Sequence, residues 1–81
     1  MTCRDEILTC ANRIVSVKGC NEFTIAEILT CMRSEGTLYS ESTIRTHITS
    51  RMCHNVPKHH GTTYDDLERV ERGVYRLVRP A

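Results

Sequence analysis

The sequence has little net charge, and this bears first on which partners it can bind. Its 81 residues contain 11 Lys and Arg and 10 Asp and Glu, which gives a formal net charge of +1. Residues 1–40 hold 4 basic and 5 acidic side chains, whereas residues 41–81 hold 7 and 5. A lone DNA-binding monomer usually has a stronger positive footprint. Charge therefore neither establishes nor excludes a nucleic-acid partner.

Long apolar runs are also missing. No run approaches the ~20 residues that a transmembrane helix needs, so we expect no membrane partner. The segment MTCRDEILTC has neither the basic stretch nor the long apolar stretch of a secretory signal, which favours a cytoplasmic location. The 81 residues are predicted to form one domain, over 1–81. A domain of this size is not expected to contain a deep substrate cavity. These limits favour a binding protein that needs no cofactor over an enzyme.

Closely spaced cysteine pairs are the third absence. The five cysteines are an odd number, and none forms the C-x-x-C motif of a redox or zinc site. A free cysteine inside a helix usually packs as a small hydrophobic side chain. We therefore expect a reduced chain in which Cys3, Cys10 and Cys31 serve packing.

The apolar pattern of the N-terminal segment predicts a first helix over about 3–18. Thr2 is placed to cap this helix, with Asp5 three positions later as its capping-box partner, and Gly19 is placed to end it. Apolar residues at helical spacing form one stripe, so the helix should lie on a core with its other side in water.

A second helix is predicted over about 25–34 by the clearest local signal in the chain. Thr24 and Glu27 have the spacing of a capping box, in which each residue accepts a hydrogen bond from the amide of the other. Phe23, just before the cap, is expected to add a short extended pair to a sheet. This helix therefore begins at a defined point, directly after a strand-like residue.

A short turn separates the second helix from a third helix, predicted over about 41–54. Gly36 is free to adopt a positive φ, and Leu38 or Tyr39 is expected to pack beneath the turn. Ser40 then caps the third helix. Two amphipathic helices joined by such a turn form the helix-turn-helix arrangement, in which the first helix braces the second against a DNA groove.

The third helix has two dissimilar faces. Its apolar side is formed, at helical spacing, by Ile44, Ile48 and Met52. The other side carries short hydroxyls and one Arg instead of the Glu and Lys mixture usual on a solvated helix. Such groups suit the major groove of DNA, where they reach phosphates and base edges. The side chains predicted to do so are Ser42, Thr43, Arg45, Thr46, Thr49 and Ser50. A Thr-rich surface helix is the alternative for this stretch.

The C-terminal segment predicts a β-hairpin over about 67–79, with its turn at the Arg-Gly pair between two strand-like runs. In that register Val70 faces Tyr75 on the core side. Arg69 faces Arg76 on the other side, and a nearby phosphate would relieve the repulsion between these like charges. Solvated arginines paired with acidic neighbours are the alternative.

The order helix, extended pair, helix, turn, helix and hairpin resembles the winged helix-turn-helix family over about Phe23 to Val78. The matching segments are FTIAEIL as the brace helix, STIRTHI as the recognition helix and RVERGVYRL as the wing. The resemblance implies an α+β, mainly α fold with three helices followed by a two-stranded β-hairpin wing. It also implies that the third helix enters the major groove.

The resemblance implies contacts outside the third helix as well. In the family the wing lies against phosphate or the minor groove, which by position implies Arg69, Arg72 and Arg76. The loop before the wing is predicted to contribute the donors Lys58, His59 and His60. The chain is also similar to small winged helix modules beside bacterial restriction and defence nucleases. We therefore expect it to bind double-stranded DNA in transcription regulation or DNA defence.

A single small module covers few base pairs, so a homodimer or a fused partner domain is expected to add specificity. The flank of the first helix with Cys3, Cys10 and Val17 is the predicted contact of such a dimer. A winged helix that binds only protein is the alternative function, which the near-neutral charge permits.

Two sets of polar residues suggest metal binding or catalysis instead. Side chains that could bind Zn²⁺ lie close in sequence at Cys53, His54, His59 and His60. Their spacing fits no common zinc pattern, and adjacent histidines seldom bind one ion together. Carboxylates that could bind a divalent metal in a nuclease are Asp65, Asp66 and Glu68. No Lys lies at a suitable spacing from them, and solvation of a turn or an edge strand explains them. We expect no metal and no enzymatic activity.

Overall fold

Local hydrogen bonds set where the first two helices begin. Thr24 Oγ1 accepts a hydrogen bond from the Glu27 amide at 3.1 Å, and the Glu27 carboxylate accepts one from the Thr24 amide at 2.8 Å. Thr2 and Asp5 make the same reciprocal pair, with both distances 3.2 Å. Gly19, at φ 74°, ends the first helix in the left-handed conformation that glycine adopts without strain. Both predicted capping boxes are confirmed.

These signals belong to a mainly helical α+β fold, which a computed structural model describes for residues 2–52 and 66–78. Its helices are α1 (Cys3–Lys18), α2 (Ile25–Ser34) and α3 (Glu41–Thr46), with a π-helical segment (His47–Arg51) directly after α3. Its strands are β1 (Phe23–Thr24), β2 (Leu67–Glu71) and β3 (Val74–Leu77). The α+β class and the bounds of the first two predicted helices are confirmed. None of the described helices is long and apolar enough to cross a lipid bilayer.

The third helix differs from the prediction of one α-helix over 41–54. After α3 the backbone widens into π turns, and the Met52 amide donates to the His47 carbonyl at 2.9 Å. An unbroken α-helix would rotate Met52 about 80° away from Ile44, because each of eight residues advances by about 100°. Residues in a π turn advance by less, because each turn contains more of them. Ile44, Ile48 and Met52 are therefore all buried on one side.

The core lies where the inward sides of the helices meet the sheet. Its largest fully buried side chains are Phe23, Ile7, Ile28, Met32, Ile44, Ile48, Met52 and Leu67. Burial of one such side chain stabilises a fold by roughly 1.5–3 kcal/mol relative to its exposure to water. Among the described residues, no polar or charged side chain is buried. The polar groups of this part of the chain that could bind a ligand therefore lie at its surface.

The sheet has three antiparallel strands in the order β1-β3-β2. β1 pairs Phe23 with Tyr75, which confirms the predicted extended pair and adds a third strand to the two-stranded hairpin that was expected. Asn21 continues this pairing with its side chain: Nδ2 donates to the Leu77 carbonyl at 2.8 Å, and the Leu77 amide donates to Oδ1 at 2.9 Å. A side-chain amide thus replaces a backbone peptide beside a strand of only two residues.

The hairpin turn lies where it is predicted, but the strand register does not. The predicted pairing of Val70 with Tyr75 is wrong, because Arg69 lies opposite Tyr75. A bulge between Arg69 and Glu71 makes Val70 an extra residue, which is 45% exposed and not part of the core. The predicted opposition of Arg69 and Arg76 is wrong for the same reason.

The bulge follows from burial and charge. The observed register pairs Leu67 with Leu77, and both are buried. Without the extra residue, Leu67 would lie on the opposite face from Leu77, because successive strand residues alternate between the two faces of a sheet. The same register places Glu68 opposite Arg76, and their side chains form an ion pair. Opposite charges across two strands stabilise a hairpin, whereas two arginines would repel each other.

Two cysteines differ from the prediction of free packing thiols. Cys10 on α1 and Cys31 on α2 are joined by a disulfide, with their Cα atoms 5.9 Å apart. The packing of α1 against α2 brings these positions together, although 21 residues separate them in sequence. Cys3 is a free, buried thiol, as predicted, and burial raises its pKa, with the Glu6 carboxylate acting in the same direction. Cys20 is free and exposed.

Some apolar side chains lie at the surface. Leu38 is 99% exposed and Tyr39 is also exposed, so the prediction that one of them packs beneath the turn is wrong. A cleft of about 680 Å³ lies between this turn and α1 instead. Val17 is 82% exposed, whereas Cys3 and Cys10 are buried on the inward stripe of α1. The predicted dimer contact through these two cysteines is therefore wrong.

Candidate nucleic-acid interface

The outer side of α3 is the first part of the candidate surface. Because Ile44 is buried in the core, the opposite side of the same turn faces solvent. The predicted side chains that the structure describes here are exposed or half-buried: Ser42, Thr43, Arg45, Thr46 and Thr49. Ser42 and Thr46 make no side-chain hydrogen bond to another described residue. Both hydroxyls are therefore available to a ligand.

The other hydroxyls of this helix are used within the protein. Ser40 Oγ accepts a hydrogen bond from the Thr43 amide at 3.2 Å and donates to Thr43 Oγ1 at 2.9 Å, so Ser40 caps α3 as predicted. Thr49 Oγ1 donates to the Arg45 carbonyl at 2.8 Å. These groups stabilise the helix and its continuation. The hydroxyl hydrogens of Ser40 and Thr49 are used within the protein, whereas Thr43 Oγ1 only accepts.

The carboxylate of Glu41, on the first turn of α3, binds two arginine side chains. Its Oε2 accepts a hydrogen bond from Arg45 Nε at 2.9 Å, and its Oε1 accepts one from Nη2 of Arg33, on α2, at 2.9 Å. The hydrogen bond from Arg45 and its charge are the main reasons that the pKa of Glu41 is lowered, and Arg33 acts in the same direction. Arg45, which is predicted to read bases, thus has a carboxylate partner inside the protein.

The hairpin separates the three arginines predicted for the wing. All three are exposed, and Arg72 lies at the turn, where it forms no ion pair with another described residue. Arg76 forms an ion pair with Glu68 on one face of the sheet. Arg69 lies opposite Tyr75 and belongs to the other face. The expected outward face shared by Arg69 and Arg76 is therefore absent from the observed hairpin.

The base of the hairpin is fastened to the end of the third helix. The Met52 carbonyl accepts hydrogen bonds from the amides of Asp66 and Leu67, at 3.1 and 2.9 Å. Arg4, on the first turn of α1, donates to Asp66 through Nε at 2.7 Å and through Nη2 at 2.9 Å. A bidentate pair of this kind is geometrically specific. The start of β2 is therefore held by both helical ends at once.

Some predicted residues lie outside the described part of the chain. These are the loop donors Lys58, His59 and His60. The alternative zinc set also lies outside it, with Cys53, His54, His59 and His60, and so does Asp65 of the alternative nuclease set. The side chain of Ser50 is likewise not described.

The acidic residues of the alternative nuclease set that the structure does describe have basic partners. Asp66 pairs with Arg4, and Glu68 pairs with Arg76. Across residues 2–52 and 66–78, no group of three or more His, Cys, Asp or Glu side chains is arranged to hold a metal ion. These carboxylates therefore support the ends and faces of the hairpin.

Two residues of this surface, Glu41 and Arg33, are missing from the sequence-based prediction. Glu41 and Arg45 are four positions apart on a helix, a spacing that by itself predicts an ion pair. That signal is present in the sequence. Arg33 carries no such signal, because it lies on α2, and only the packing of α2 beside α3 brings its guanidinium to Glu41.

The fold and this surface define a small, mainly helical α+β domain that presents hydroxyls and arginines on one helix and one hairpin. Residues 2–77 match a family described as a domain of unknown function (DUF7669), and the chain belongs to that family. No curated protein and no solved structure matches the chain. The description of the family states no function, so a function has to be inferred from the surface.

Proposed function

We propose that this domain binds double-stranded DNA in the manner of a winged helix-turn-helix module. α3 enters the major groove, α2 braces it, and the hairpin of β2 and β3 lies against the phosphate backbone as the wing. The observation that carries the proposal is the division of α3, together with the π-helical segment that follows it, into two faces. Hydroxyls and an Arg face outward, while Ile44, Ile48 and Met52 are fully buried on the inner side. Helix propensity alone does not favour Ser and Thr on a solvated face.

The contacts of α3 supply sequence preference in this proposal. Arg45 can donate two hydrogen bonds to one guanine, which is the commonest specific contact in the major groove. Ser42 and Thr46 have unused hydroxyls of short reach, which suit phosphates or base edges close to the helix. Arg45 therefore discriminates between bases, and the hydroxyls position the helix.

The hairpin supplies affinity that does not depend on sequence. Arg72 is the best-placed of its arginines for a phosphate, since it lies exposed at the turn and has no ion pair with a described residue. Arg76 contributes less, because the Glu68 carboxylate already balances its charge. Arg69 lies on the other face of the hairpin, so it and Arg76 contact different parts of the backbone.

Titration of a mixed-sequence duplex at two salt concentrations tests the proposal. Affinity should fall steeply with salt, because each neutralised phosphate releases counterions and adds about −0.9 to the slope of log K against log salt. Arg72→Ala should make that slope shallower by about one. Arg13→Ala removes the same charge from α1, where Arg13 pairs with Glu35, and should leave the slope nearly unchanged. Equal effects of the two variants would refute the wing contact.

The exposed turn before α3 favours a second candidate function, a winged helix that binds protein. Leu38 is 99% exposed beside the cleft against α1, and an apolar side chain at such a position is available to a protein partner. Leu38→Ser should leave DNA affinity unchanged if the first proposal holds. Absence of DNA binding by the wild-type chain at low salt would favour the second candidate.

In the cell, the proposed role is transcription regulation or DNA defence, without a cofactor or a catalytic residue. A homodimer or a fused partner domain would add the specificity that one small module lacks. Val17 is the exposed apolar residue left on α1 for such a contact, since Cys3 and Cys10 are buried. Sedimentation that shows a monomer at high concentration, with one-to-one binding to a non-palindromic site, would exclude the homodimer.

A further inference from the structure

We propose that Glu41 limits the affinity of this surface for nonspecific DNA, because it occupies Arg33 and Arg45 in place of a phosphate. The inference rests on the proposed function above and goes beyond it by assigning a specificity-determining residue. Glu41 is the first residue of α3, so it lies where that helix meets the end of α2.

Two guanidinium groups from different helices converge on the one carboxylate. Arg33 of α2 donates to Oε1, and Arg45 of α3 donates to Oε2, each at 2.9 Å. A guanidinium binds phosphate with the same planar arrangement of donors that it offers to a carboxylate. The two guanidinium groups that bind the Glu41 carboxylate are therefore also suited to bind a backbone phosphate.

The contact is weak enough to be exchanged. All three side chains are about half exposed or more, and exposed ion pairs contribute little to stability because water screens them. A phosphate that approaches the two arginines has to displace Glu41 and also meets its negative charge. Every duplex pays this cost, so the carboxylate lowers nonspecific affinity.

A preferred site recovers part of the loss. A guanine in the right position offers Arg45 two hydrogen bonds in addition to the nearby backbone charge, whereas a random duplex offers mainly the charge. Displacement of Glu41 is therefore better compensated at a preferred site than elsewhere. Glu41 raises the ratio of specific to nonspecific binding by this route.

A purely supporting role for Glu41 makes the opposite prediction. If the carboxylate served to hold Arg45 in the conformation that binds DNA, then its removal would weaken binding. The sign of the change in affinity distinguishes the two roles.

The test compares Glu41→Gln with Glu22→Gln on a mixed-sequence duplex at two salt concentrations. Glu22 is exposed, lies outside α3 and has no side-chain partner among the described residues, so its replacement makes the same change in net charge. Glu41→Gln should bind about three- to tenfold more tightly than Glu22→Gln, with a salt slope steeper by about one. The double variant of Glu41→Gln with Arg33→Ala should lose most of that gain.

Four results would overturn the inference in distinguishable ways. Equal gains in the two glutamate variants would mean that only net charge matters, and weaker binding by Glu41→Gln would assign a supporting role. If the wild-type chain and all variants fail to bind DNA at low salt, the proposed function itself is wrong and the inference falls with it. Thermal melts report whether Glu41→Gln folds. If it does not, Glu41→Asp keeps the charge but is too short to reach both arginines, and wild-type affinity in that variant would also refute the inference.

Discussion

At the scale of single residues, hydrogen bonds that backbone amides donate to side chains decide where the helices start. Glu27 closes the capping box of α2 and also accepts a hydrogen bond from the Lys18 ammonium at 3.2 Å. Burial alone raises the pKa of Glu27, but the hydrogen bond from the Thr24 amide and the nearby Lys18 outweigh it, and the pKa lies below its usual value. Ionised Glu27 therefore stabilises the fold more than protonated Glu27 does.

Glu27→Gln should make the stability of the domain less dependent on acid pH. Because the folded pKa is lowered, the charged contribution is fully present above the unfolded value of about 4.3 and is lost as the pH falls through the folded value. Urea unfolding should give a higher free energy for the wild type at pH 7 and a smaller difference below about pH 4. Glu22→Gln, at an exposed position, is the control and should show no such trend. A difference that does not vary with pH would mean that the charge of Glu27 is unimportant.

At the scale of elements, the hairpin register is decided by which side chains reach the core. Leu67 is fully buried, whereas Val70, three residues later on the same strand, is the exposed extra residue of the bulge. The bulge thus separates a side chain that stabilises the fold from one that lies in water.

Leu67→Ala and Val70→Ala should therefore differ sharply in stability. Leu67→Ala should lower the free energy of unfolding by about 3 kcal/mol, because it removes buried methyl groups and leaves a cavity. Val70→Ala should change it by less than about 0.5 kcal/mol, as is usual for an exposed position. Urea denaturation of the two variants measures both values. The reverse order would mean that Val70 packs in the core, as the simple two-residue turn predicts.

The disulfide is the other element-scale feature, because it joins α1 to α2. Cys10 and Cys31 are 21 residues apart in sequence. A bond that closes a loop of that length lowers the conformational entropy of the unfolded chain, which stabilises the folded state by about 3 kcal/mol. Cys31→Ser, or a reducing agent, should lower the free energy of unfolding by about that amount. Cys20→Ser alters an exposed free thiol and should have little effect. A wild-type chain that is equally stable with and without reductant would mean that the two thiols are not bonded in solution.

At the scale of the whole molecule, the candidate surface and the fold depend on each other. The hairpin is tied at its base to Met52 and to Arg4, and α3 is held by its buried stripe. The relative positions of α3 and the hairpin therefore exist only in the folded chain. A ligand that contacts both of them binds the folded state in preference to the unfolded one.

DNA should consequently stabilise the domain against heat. A duplex at 100 times its Kd should raise the free energy of unfolding by about 2.7 kcal/mol and raise Tm accordingly. The shift should disappear at high salt, because the affinity depends on phosphate contacts. Differential scanning fluorimetry at low and high salt measures it, with Arg72→Ala as a variant of reduced shift. An unchanged Tm at low salt would contradict the DNA-binding proposal.

Features that depend on residues a few positions apart can be predicted from the sequence alone. The capping boxes at Thr2 and Thr24, the caps at Gly19 and Ser40, and the burial of Ile44 and Ile48 follow from short-range spacing, and the structure confirms each of them. The outward hydroxyls of α3 follow in the same way, because a buried stripe leaves the other side of a helix in solvent. Local backbone chemistry is sufficient for these features.

Contacts between distant segments depend instead on how the whole chain packs. The π turns before Met52, the bulge at Val70 and the Cys10–Cys31 bond all result from the fit of elements around one core. The contact of Arg33 with Glu41 has the same origin. The physical reason is that burial of a complete apolar face is worth more than an ideal local turn or helix, so the chain adopts an extra residue or a wider turn where the core requires it.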